Sequence, residues 1–372
     1  MQRSEKKGTP KYLEIVEAIE KSIASGVYKA GKRLPSEVSL VHRFGTSRIT
    51  VGRALRELAY KGLVVSRRGS GTYVRVENAT GLLFGLLIPN FGDTEIFESI
   101  CRGLTQAPET KAHALLWGNT SVKSGSKEEE AWDLCRQYIS RKVSGVFYAP
   151  LDQSSASCLA NKGIMAALEE AGIPIVLLDR RVQAYSSGGK HDLVGIDNHK
   201  TGYIITEHLL KLGCKRVVFL AYPNLAATIT SRIAGYWTAL LTRNLPVEKE
   251  FVQLIDPADQ NEVRRIMRDL RPEAFVCGND KTAGHLMQTL LALGQRIPED
   301  VRIVGVDDIK YATLLPVPLT TARQPCRQIG NVAISTMLER LARPDIPARD
   351  ILLDCHLIIR GSCGSKRAAP VR

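Results

Sequence analysis

The 372-residue sequence lacks the patterns that mark several classes of protein. Its eight Cys are scattered without a C-x-x-C pair, which argues against a disulfide framework and against a zinc site. Its seven His show no H-x-x-x-H spacing, so neither a metal nor another cofactor is predicted. No run approaches the roughly 18 consecutive apolar residues of a membrane-spanning helix, so no membrane partner is expected.

Catalytic patterns are missing as well. The sequence has no G-x-S-x-G elbow, no recognisable acid/base pair, and no G-x-G-x-x-G motif after a strand, so an enzyme and a dinucleotide-binding protein are not favoured. The segment from Met1 to Lys11 is polar and charged, without the apolar centre of a signal peptide. Several Cys lie in apolar runs, for example Cys277. We therefore expect a cytoplasmic protein with reduced Cys in its core.

Positive charge is abundant, and it is concentrated at one end. The net charge is +13, and residues 1–77 hold 7 Lys and 9 Arg against 7 Glu and no Asp, a net charge of +9. The other 295 residues carry only +4, of which Lys366, Arg367 and Arg372 supply +3. A basic segment beside a nearly neutral remainder is typical of a protein that contacts phosphates of nucleic acid. A merely solvated surface is the alternative.

Residues 1–77 are predicted to form a winged helix-turn-helix domain. Apolar residues recur at three- to four-residue spacing in three helices, which begin after Pro10, Ser36 and Ser47. Two short strands, Leu63–Ser66 and Thr72–Val76, follow around a Gly-x-Gly tip. In such a domain the first turn of the third helix enters the major groove of duplex DNA, and the wing approaches the minor groove.

This geometry selects the residues that would contact DNA. Arg48, Ile49 and Thr50 would meet base edges or phosphates, and the wing glycines would let the backbone approach closely. Any one of the Arg taken alone could equally belong to a solvated helix surface. The candidate DNA-contacting residues are Arg33, Ser36, Ser47, Arg48, Ile49, Thr50, Arg53, Arg67, Arg68, Gly69 and Gly71.

Residues 10–75 resemble the DNA-binding head of the GntR family, which typically reads R-L-P-S-E, S-R-x-T-V-R-x-A-L and G-x-G-T-(F/Y)-V. This chain has Arg33–Glu37, Ser47–Val51 and Gly69–Val74 in the matching places. It departs at Gly52, where the family usually carries a second Arg that contacts DNA. The next residue, Arg53, lies about 100° further round the helix. The resemblance implies a transcriptional regulator.

Residues 83–364 are predicted to form a two-lobed α/β domain with parallel sheets. Short apolar runs alternate with helical patterns such as His199–Leu212 and Lys281–Leu293, which is typical of βαβ units. The strands are too many for one comfortable sheet, so two lobes with a cleft between them are expected. The predicted strands are Leu83–Ile88, Ala114–Trp117, Gly145–Tyr148, Ile173–Leu178, Leu193–Ile196, Arg216–Leu220, Ala274–Cys277 and Arg302–Val306.

Polar residues cluster where these strands end. Ligands of such sheets bind beyond the carboxyl ends of the strands. Carboxylates, amides and an Arg are suited to bind several hydroxyl groups in a partly dry cleft. Each Asp could instead cap the helix that follows, but the set together favours a small polar ligand. The residues that follow strands are Asp179, Arg180, Arg232, Asn279, Asp307 and Gln324, with Phe97 as a ring to cover the apolar face of a sugar.

Residues 84–361 resemble the LacI-type effector domain and the periplasmic sugar-binding proteins. Matching stretches include Ile173–Arg180, Ser231–Tyr236, Cys277–Ala283 and Ile297–Asp308. In the ribose-binding branch, residues matching those six polar positions hold sugar hydroxyls, and the match of Phe97 stacks on the sugar. The family's N-P-F-F run is replaced here by Asp93–Phe97, which removes one stacking ring and an Asn.

The sequence therefore predicts a sugar-responsive transcriptional regulator, most simply a repressor, in which a GntR-type head is fused to a LacI-type sensor. The predicted segments are a DNA-binding domain at 1–77, a linker at 78–82, an effector and dimerisation domain at 83–364 and a basic tail at 365–372. The expected partners are double-stranded operator DNA, a monosaccharide effector and a second copy of the chain. A nucleobase or a phosphorylated sugar remains an alternative effector. An enzyme of sugar metabolism with a basic head and a secreted sugar-binding module are the alternative functions.

Overall fold

The computed structural model describes residues 10–29, 31–60, 63–67, 70–74, 81–88, 95–118, 126–151, 155–182, 189–223 and 226–365. The chain divides into two compact units between Gly81 and Leu82. Residues 78–80 of the expected linker and 366–372 of the expected basic tail lie outside the described residues. None of the described helices combines the length and the apolarity needed to cross a membrane.

The first unit has the winged helix-turn-helix architecture that the sequence predicts. Its elements are α1 (Lys11–Ala24), α2 (Glu37–Phe44), α3 (Arg48–Tyr60), β1 (Val64–Arg67) and β2 (Gly71–Val74). All three helices contribute to its hydrophobic core, for example through Ile19, Leu40 and Leu58. The two strands pair antiparallel, and residues 31–34 hydrogen-bond to β2 along its other edge.

Local sequence explains where the helices of the head begin and end. Ser36 precedes α2 and its hydroxyl accepts a hydrogen bond from Ser39 N at 3.2 Å. Gly45 follows α2 with φ +57°, a left-handed conformation that glycine adopts without strain. The hydroxyl of Ser47 then accepts a hydrogen bond from Thr50 N at 3.3 Å and starts α3. The turn between α2 and α3 is therefore short and well defined.

The second unit consists of two lobes of α/β structure, which confirms the predicted fold class. The helices are α4 (Glu95–Gln106), α5 (Lys127–Ser140), α6 (Ser155–Glu170), α7 (Asn198–Lys211), α8 (Ala227–Thr242), α9 (Gln260–Asp269), α10 (Asp280–Ala292) and α11 (Cys326–Ala342). The strands are β3 (Leu83–Leu87), β4 (Ala114–Trp117), β5 (Gly145–Tyr148), β6 (Ile175–Leu178), β7 (Asp192–Ile196), β8 (Val217–Ala221), β9 (Val252–Leu254), β10 (Ala274–Cys277), β11 (Arg302–Asp307), β12 (Thr320–Arg323), β13 (Asp350–Leu353) and β14 (His356–Ile358).

Each lobe contains a six-stranded sheet. The first has the strand order β13-β7-β6-β5-β3-β4 and is parallel throughout. The second has the order β14-β12-β11-β10-β8-β9, in which only β14 runs antiparallel to its neighbour. The eight predicted strands all appear within two residues of their predicted bounds. The edge strands β9, β13 and β14 were not predicted, because they are short and only partly buried.

The chain passes between the lobes three times. It crosses near Asn198 between β7 and α7, near Gln324 between β12 and α11, and near Cys355 between β13 and β14. Cys355 packs against the hydrophobic cores of both lobes. Three such crossings form a hinge about which two lobes can open and close. The cleft between the lobes is bounded on one side by this hinge.

Two helix pairs pack backbone to backbone through glycine. In the first lobe, a Cβ atom at Gly103 of α4 would overlap the carbonyl oxygen of Arg327 in α11. Reciprocally, a Cβ atom at Gly330 would overlap the carbonyl oxygen of Ile100. Helices α7 and α8 of the second lobe meet in the same way. The closeness of these pairs sets where the amino-terminal ends of α4, α8 and α11 reach the cleft.

The close approach of α4 and α11 leads to a stability prediction. Gly103→Ala should lower the free energy of unfolding by about 1–3 kcal/mol, because the added methyl forces the helices apart. Gly284→Ala in α10 is the matched control, since the nearest atom to its added Cβ is 3.5 Å away on Leu315. That variant should be neutral or more stable by up to about 1 kcal/mol. Thermal denaturation of the two variants measures the difference. An equal change in the free energy of unfolding of both variants would contradict the packing argument.

Candidate functional site

A cavity of about 170 Å³ lies between the lobes, where the carboxyl ends of strands from both sheets meet. Strand β6 of the first lobe ends there, and so do β8, β10, β11 and β12 of the second lobe. Six of the seven candidate ligand-binding residues line this cavity. They are Asp179, Arg180, Arg232, Asn279, Asp307 and Gln324.

The seventh candidate, Phe97, is placed elsewhere. Its ring is 5% exposed and lies in the hydrophobic core of the first lobe, on the same side of α4 as Ile100 and Leu104. The preceding residue, Ile96, lines the cavity instead. Ile96 belongs to the same hydrophobic core and still lines the cavity. Phe97 is not among the described lining residues, and its stacking role stays a prediction.

Arg232 is the most constrained cation of the cavity. It projects from α8, is 4% exposed, and donates from Nε to Asn198 Oδ1 at 2.9 Å and from Nη1 to the carbonyl oxygen of Gly278 at 2.6 Å. Its Nη2 lies 4.0 Å from Asp307 Oδ1. Two hydrogen bonds within the protein fix the guanidinium, so its remaining N–H groups present a rigid, positively charged donor surface to the cavity.

Asp307 is the last residue of β11, and its carboxyl faces the cavity with a strongly shifted pKa. Burial, partly offset by the charge of Arg232, raises the pKa of its carboxyl to about 6. Its Oδ1 accepts a hydrogen bond from Gln324 Nε2 at 2.7 Å. The Oε1 atom of Gln324, which is 4% exposed, is buried without a hydrogen-bond partner in the described structure. A buried acceptor of this kind costs free energy unless something in the cavity donates to it.

A second buried carboxyl, that of Asp280, lies behind Asp307. It accepts hydrogen bonds from Thr321 Oγ1 at 2.6 Å and from the backbone N–H of Ile309 at 3.1 Å. Burial, with the nearby charge of Asp307, raises its pKa well above that of an ordinary carboxyl. Its contacts join the start of α10 to the loop after β11. Asp280 therefore holds the segment that carries Asp307 in place.

Asn279 and the Asp179–Arg180 pair complete the polar lining. Asn279 uses Oδ1 to cap α10, where it accepts from the backbone N–H and the hydroxyl of Thr282, and this leaves its Nδ2 to donate. Asp179 accepts a hydrogen bond at Oδ2 from Arg180 Nε at 3.0 Å. The cavity thus contains acceptors and donors in comparable numbers and two carboxylates opposite two guanidinium groups.

Three of the six described non-glycine residues with positive φ lie at the carboxyl ends of β6 and β11. Asp179, Asp307 and Asp308 have φ angles of +68°, +119° and +56°, which residues with a side chain rarely adopt. Such conformations cost on the order of 1–3 kcal/mol each and are retained mainly at functional positions. The flanking Asp308 is held by Arg323 and Arg360, each at 2.6 Å. The strained strand ends are therefore supported by ion pairs outside the cavity.

Sequence reasoning missed Tyr222, the one aromatic side chain among the described lining residues. Its hydroxyl is 2.5 Å from His285 Nδ1, and the two rings pack edge to face. These contacts fix the orientation of the phenol ring. Tyr222 directly follows β8, so the strand-end rule that selected Asn279 and Asp307 also applies to it.

An ion pair joins the two lobes at the edge of the cleft. Lys310, in the loop after β11, donates from its backbone N–H to Glu95 Oε2 at 2.9 Å and from Nζ to Glu98 Oε2 at 3.1 Å. Both Glu belong to the first turn of α4 in the other lobe. The hydrogen bond from Lys310 is the main cause that lowers the pKa of Glu98. This pair favours the closed arrangement of the lobes.

The head presents a second candidate site on α3. Arg48 and Ile49 are exposed on its first turn, whereas the hydroxyl of Thr50 lies 2.9 Å from that of Ser47. The guanidinium of Arg53 lies 4.0 Å from the centre of the Tyr12 ring. Arg53 therefore makes a cation–π contact within the head, at the side of α3 that faces α1.

The wing is attached to the segment before α2. Arg33 forms a backbone bridge with Tyr73, and its guanidinium lies directly over Gly71. Gly71 has φ +115°, and a Cβ atom there would lie 2.5 Å from Arg33 Nε, so only glycine fits. Arg67 belongs to β1, but its side chain is not described. Arg68 and Gly69 lie outside the described residues.

The two units match the models of two known families. Residues 11–74 match the bacterial regulatory proteins of the gntR family, and residues 206–363 match the periplasmic binding protein-like domain. The chain is therefore a transcriptional regulator whose head matches the gntR-family model and whose second unit matches the periplasmic binding protein-like domain.

Curated relatives are similar to this chain over almost its whole length. The chain is 29% identical over 370 residues to the arabinose metabolism transcriptional repressor of Geobacillus stearothermophilus, covering 96% of this chain and 98% of that protein. It is 26% identical over 377 residues to the repressor of the same name from Halalkalibacterium halodurans, covering 96% and 98%. A solved LacI family transcriptional regulator from Enterococcus faecalis with bound ribose superposes with a TM-score of 0.60 at 25% identity, covering 75% of this chain and 98% of that one.

The perturbed carboxyl of Asp307 leads to a pH-dependent stability prediction. Its folded pKa, about 6, lies above its ordinary value of 3.8, so the native protein binds this proton more tightly than the unfolded chain. The resulting stability is fully present below about pH 4 and is lost as the pH rises through 6. The free energy of unfolding of Asp307→Asn, compared with that of the parent, should therefore be larger at pH 8 than at pH 4. The change in this difference between the two pH values should be on the order of 1–3 kcal/mol.

The control for this prediction is Asp300→Asn. Hydrogen bonds with Arg296 lower the pKa of the exposed Asp300 carboxyl to about 2, so the stability it contributes is lost only as the pH falls through 2. The free energy of unfolding of Asp300→Asn should differ from that of the parent by nearly the same amount at pH 5 and at pH 8. Thermal denaturation between pH 4 and pH 8 distinguishes the two cases. A constant difference for Asp307→Asn over this range would show that its carboxyl is not perturbed.

Proposed function

We propose that this regulator is a repressor that binds operator DNA through α3 and the wing, and that its inter-lobe cavity binds a small neutral sugar that changes its affinity for the operator. The observation that carries the effector proposal is the convergence of six polar side chains on one small cavity, including a buried acceptor, Gln324 Oε1, that has no partner in the described structure.

The hydrogen-bonding groups of the cavity favour a ligand rich in hydroxyl groups. Asp179, Asp307 and Gln324 Oε1 can accept hydrogen bonds from a ligand, whereas Arg232 and Asn279 Nδ2 can donate them. A hydroxyl group both donates and accepts, so a polyol can satisfy both sets at once. The apolar side of a sugar ring can pack against Tyr222 and Ile96, which also line the cavity. A monosaccharide therefore complements the site in both polarity and shape.

Charge and the character of the lining argue against the rival ligands. The two carboxylates of the described lining balance its two guanidinium groups, so the cavity has no net positive charge to attract a phosphate group. A nucleobase would favour two stacking surfaces, whereas the described lining supplies one aromatic ring. Pentoses are the first candidates, because the named relatives are an arabinose metabolism repressor and a regulator with bound ribose.

The DNA contacts are assigned to the exposed face of the head. Arg48 and Ile49 of α3 would contact base edges in the major groove, and Arg33 with Gly71 would place the wing backbone against DNA. A homodimer would present two such heads to a pseudo-palindromic operator. A sugar that favours one lobe arrangement would then alter operator affinity through a coupling of about 1–3 kcal/mol. Such a regulator would act in the cytoplasm, where its operator lies.

Two variants separate the two binding activities. Arg48→Ala should weaken binding to a duplex selected from a random pool at least tenfold, because it removes a charge-assisted contact, and should leave sugar binding unchanged. Asn279→Ser should weaken sugar binding and leave binding to the duplex unchanged. Serine still caps α10, but it lacks the amide donor, so sugar affinity should fall by roughly tenfold or more without loss of the fold. Fluorescence anisotropy with the duplex and calorimetry with L-arabinose and D-ribose measure these effects.

The same titrations test the alternatives. A sugar that is recovered unchanged and raises the melting temperature supports a sensor, because a ligand that binds only the native state stabilises it. A sugar that is chemically converted would favour an enzyme with an accessory basic head. Loss of both activities in either variant would contradict the assignment of two separate sites.

The ion pair between the lobes leads to a prediction about affinity. Lys310→Met removes the Nζ contact with Glu98 while keeping the length of the side chain, so sugar should dissociate faster and bind no more than about fivefold weaker. Lys211→Met in α7 is the control, because it removes the same charge but breaks an ion pair, with Glu207, inside one helix. Stopped-flow release of the sugar measures both. If both variants release the sugar faster than the parent by the same factor, the loss of a positive charge, and not the loss of the link between the lobes, explains the change in rate.

A further inference from the structure

The recognition surface of α3 includes an exposed apolar side chain. Ile49, the second residue of the helix, is 81% exposed, and no other large apolar side chain in the described part of the chain is more exposed. The core-facing positions of α3 are filled by Val51, Leu55 and Leu58. An exposed Ile is unremarkable on a general surface. Its position on the first turn of the helix predicted to enter the major groove gives it significance.

The residues around Ile49 leave it unobstructed. Gly52, three residues further on the same side of the helix, has open space where a side chain would project, with no atom within 4 Å of an added Cβ. The hydroxyl of Thr50 is engaged with Ser47, and Arg53 is stacked on Tyr12. Ile49 and Gly52 therefore form an open apolar strip beside Arg48. We call these two residues the Ile49–Gly52 strip.

The major groove offers one apolar group to such a surface, the C5-methyl group of thymine. A long side chain at position 52 would hold the helix away from the base pairs or would contact a purine. Glycine instead allows the helix backbone to approach. We propose that the Ile49–Gly52 strip packs against a thymine methyl group in each operator half-site and is a determinant of sequence specificity for this regulator. This inference rests on the proposed binding of operator DNA by the head.

The consequence is a specificity that depends on a single methyl group. Arg48 would supply a polar contact and charge next to the strip, whereas Ile49 would discriminate thymine from the other bases by van der Waals contact. Burying one methyl group is worth about 0.8 kcal/mol, which corresponds to about a fourfold change in affinity. Since Ile49 makes no contribution to the core, its truncation should leave the fold of the head intact.

The test uses the full-length protein and a duplex selected from a random pool. Each thymine of that duplex is replaced in turn by deoxyuridine, which lacks only the C5-methyl group. At one position per half-site, this replacement should weaken binding by the parent protein about three- to tenfold. Ile49→Ala should bind the unmodified duplex more weakly and should be indifferent to the same replacement. Ile49→Val, which keeps the branched shape, should retain part of the sensitivity.

Two further measurements make the result specific. Val38→Ala removes a comparable exposed apolar side chain from α2 and should leave the thymine preference unchanged. The dependence of affinity on salt should be the same for Ile49→Ala and the parent, because no phosphate contact is lost. A changed salt dependence would mean that the variant docks differently and would overturn the assignment.

The outcomes separate this inference from the function on which it rests. A parent protein that is indifferent to deoxyuridine at every position, or an Ile49→Ala variant that keeps the sensitivity, overturns the role of the strip while leaving DNA binding intact. Failure of the parent protein to enrich any duplex from the pool would instead overturn the proposed DNA-binding function, and the inference with it.

Discussion

The carboxyl group of Asp307 is largely buried between the two lobes, and neighbouring groups lower the free-energy cost of that burial. Arg232 offsets part of its charge, Gln324 donates to it, and Asp280 holds the loop behind it. Arg232 can do so because Asn198 and the Gly278 carbonyl fix its guanidinium. Burial still leaves the pKa of Asp307 raised, and Gln324 Oε1 has no partner within the described structure. A ligand that supplies a donor would provide that partner.

The same residues connect the cavity to the motion of the lobes. Gln324, which lines the cavity, and Asn198, which holds Arg232, lie at two of the three places where the chain crosses between the lobes. The pair formed by Lys310 and Glu98 links the lobes at the edge of the cleft. A ligand bound in the cavity would therefore act on the hinge directly, and differential contacts in the open and closed arrangements would supply the coupling energy.

Much of this could be predicted from particular residues. Apolar runs with polar ends located Asp179, Asn279 and Asp307 at one edge of two sheets, because the carboxyl ends of parallel strands meet there. Phe97 was expected to line the cavity, whereas it packs in the core of the first lobe and its neighbour Ile96 lines the cavity. The sequence does not say which residue of a helix projects into a cleft. Tyr222 was missed although it also follows a strand. The edge strands were missed because half-exposed strands carry a weak apolar signal.

The sequence by itself determined the two classes of domain, the capped turn before α3 and the chemical character of both candidate sites, because these follow from local periodicity, capping and composition. Only the tertiary structure decided that Gln324 Oε1 has no partner among the described residues, that Arg53 packs on Tyr12 and that Ile49 is highly exposed beside Gly52. These facts depend on distances between residues that are far apart in the chain. Such distances are set by packing, which no local pattern encodes.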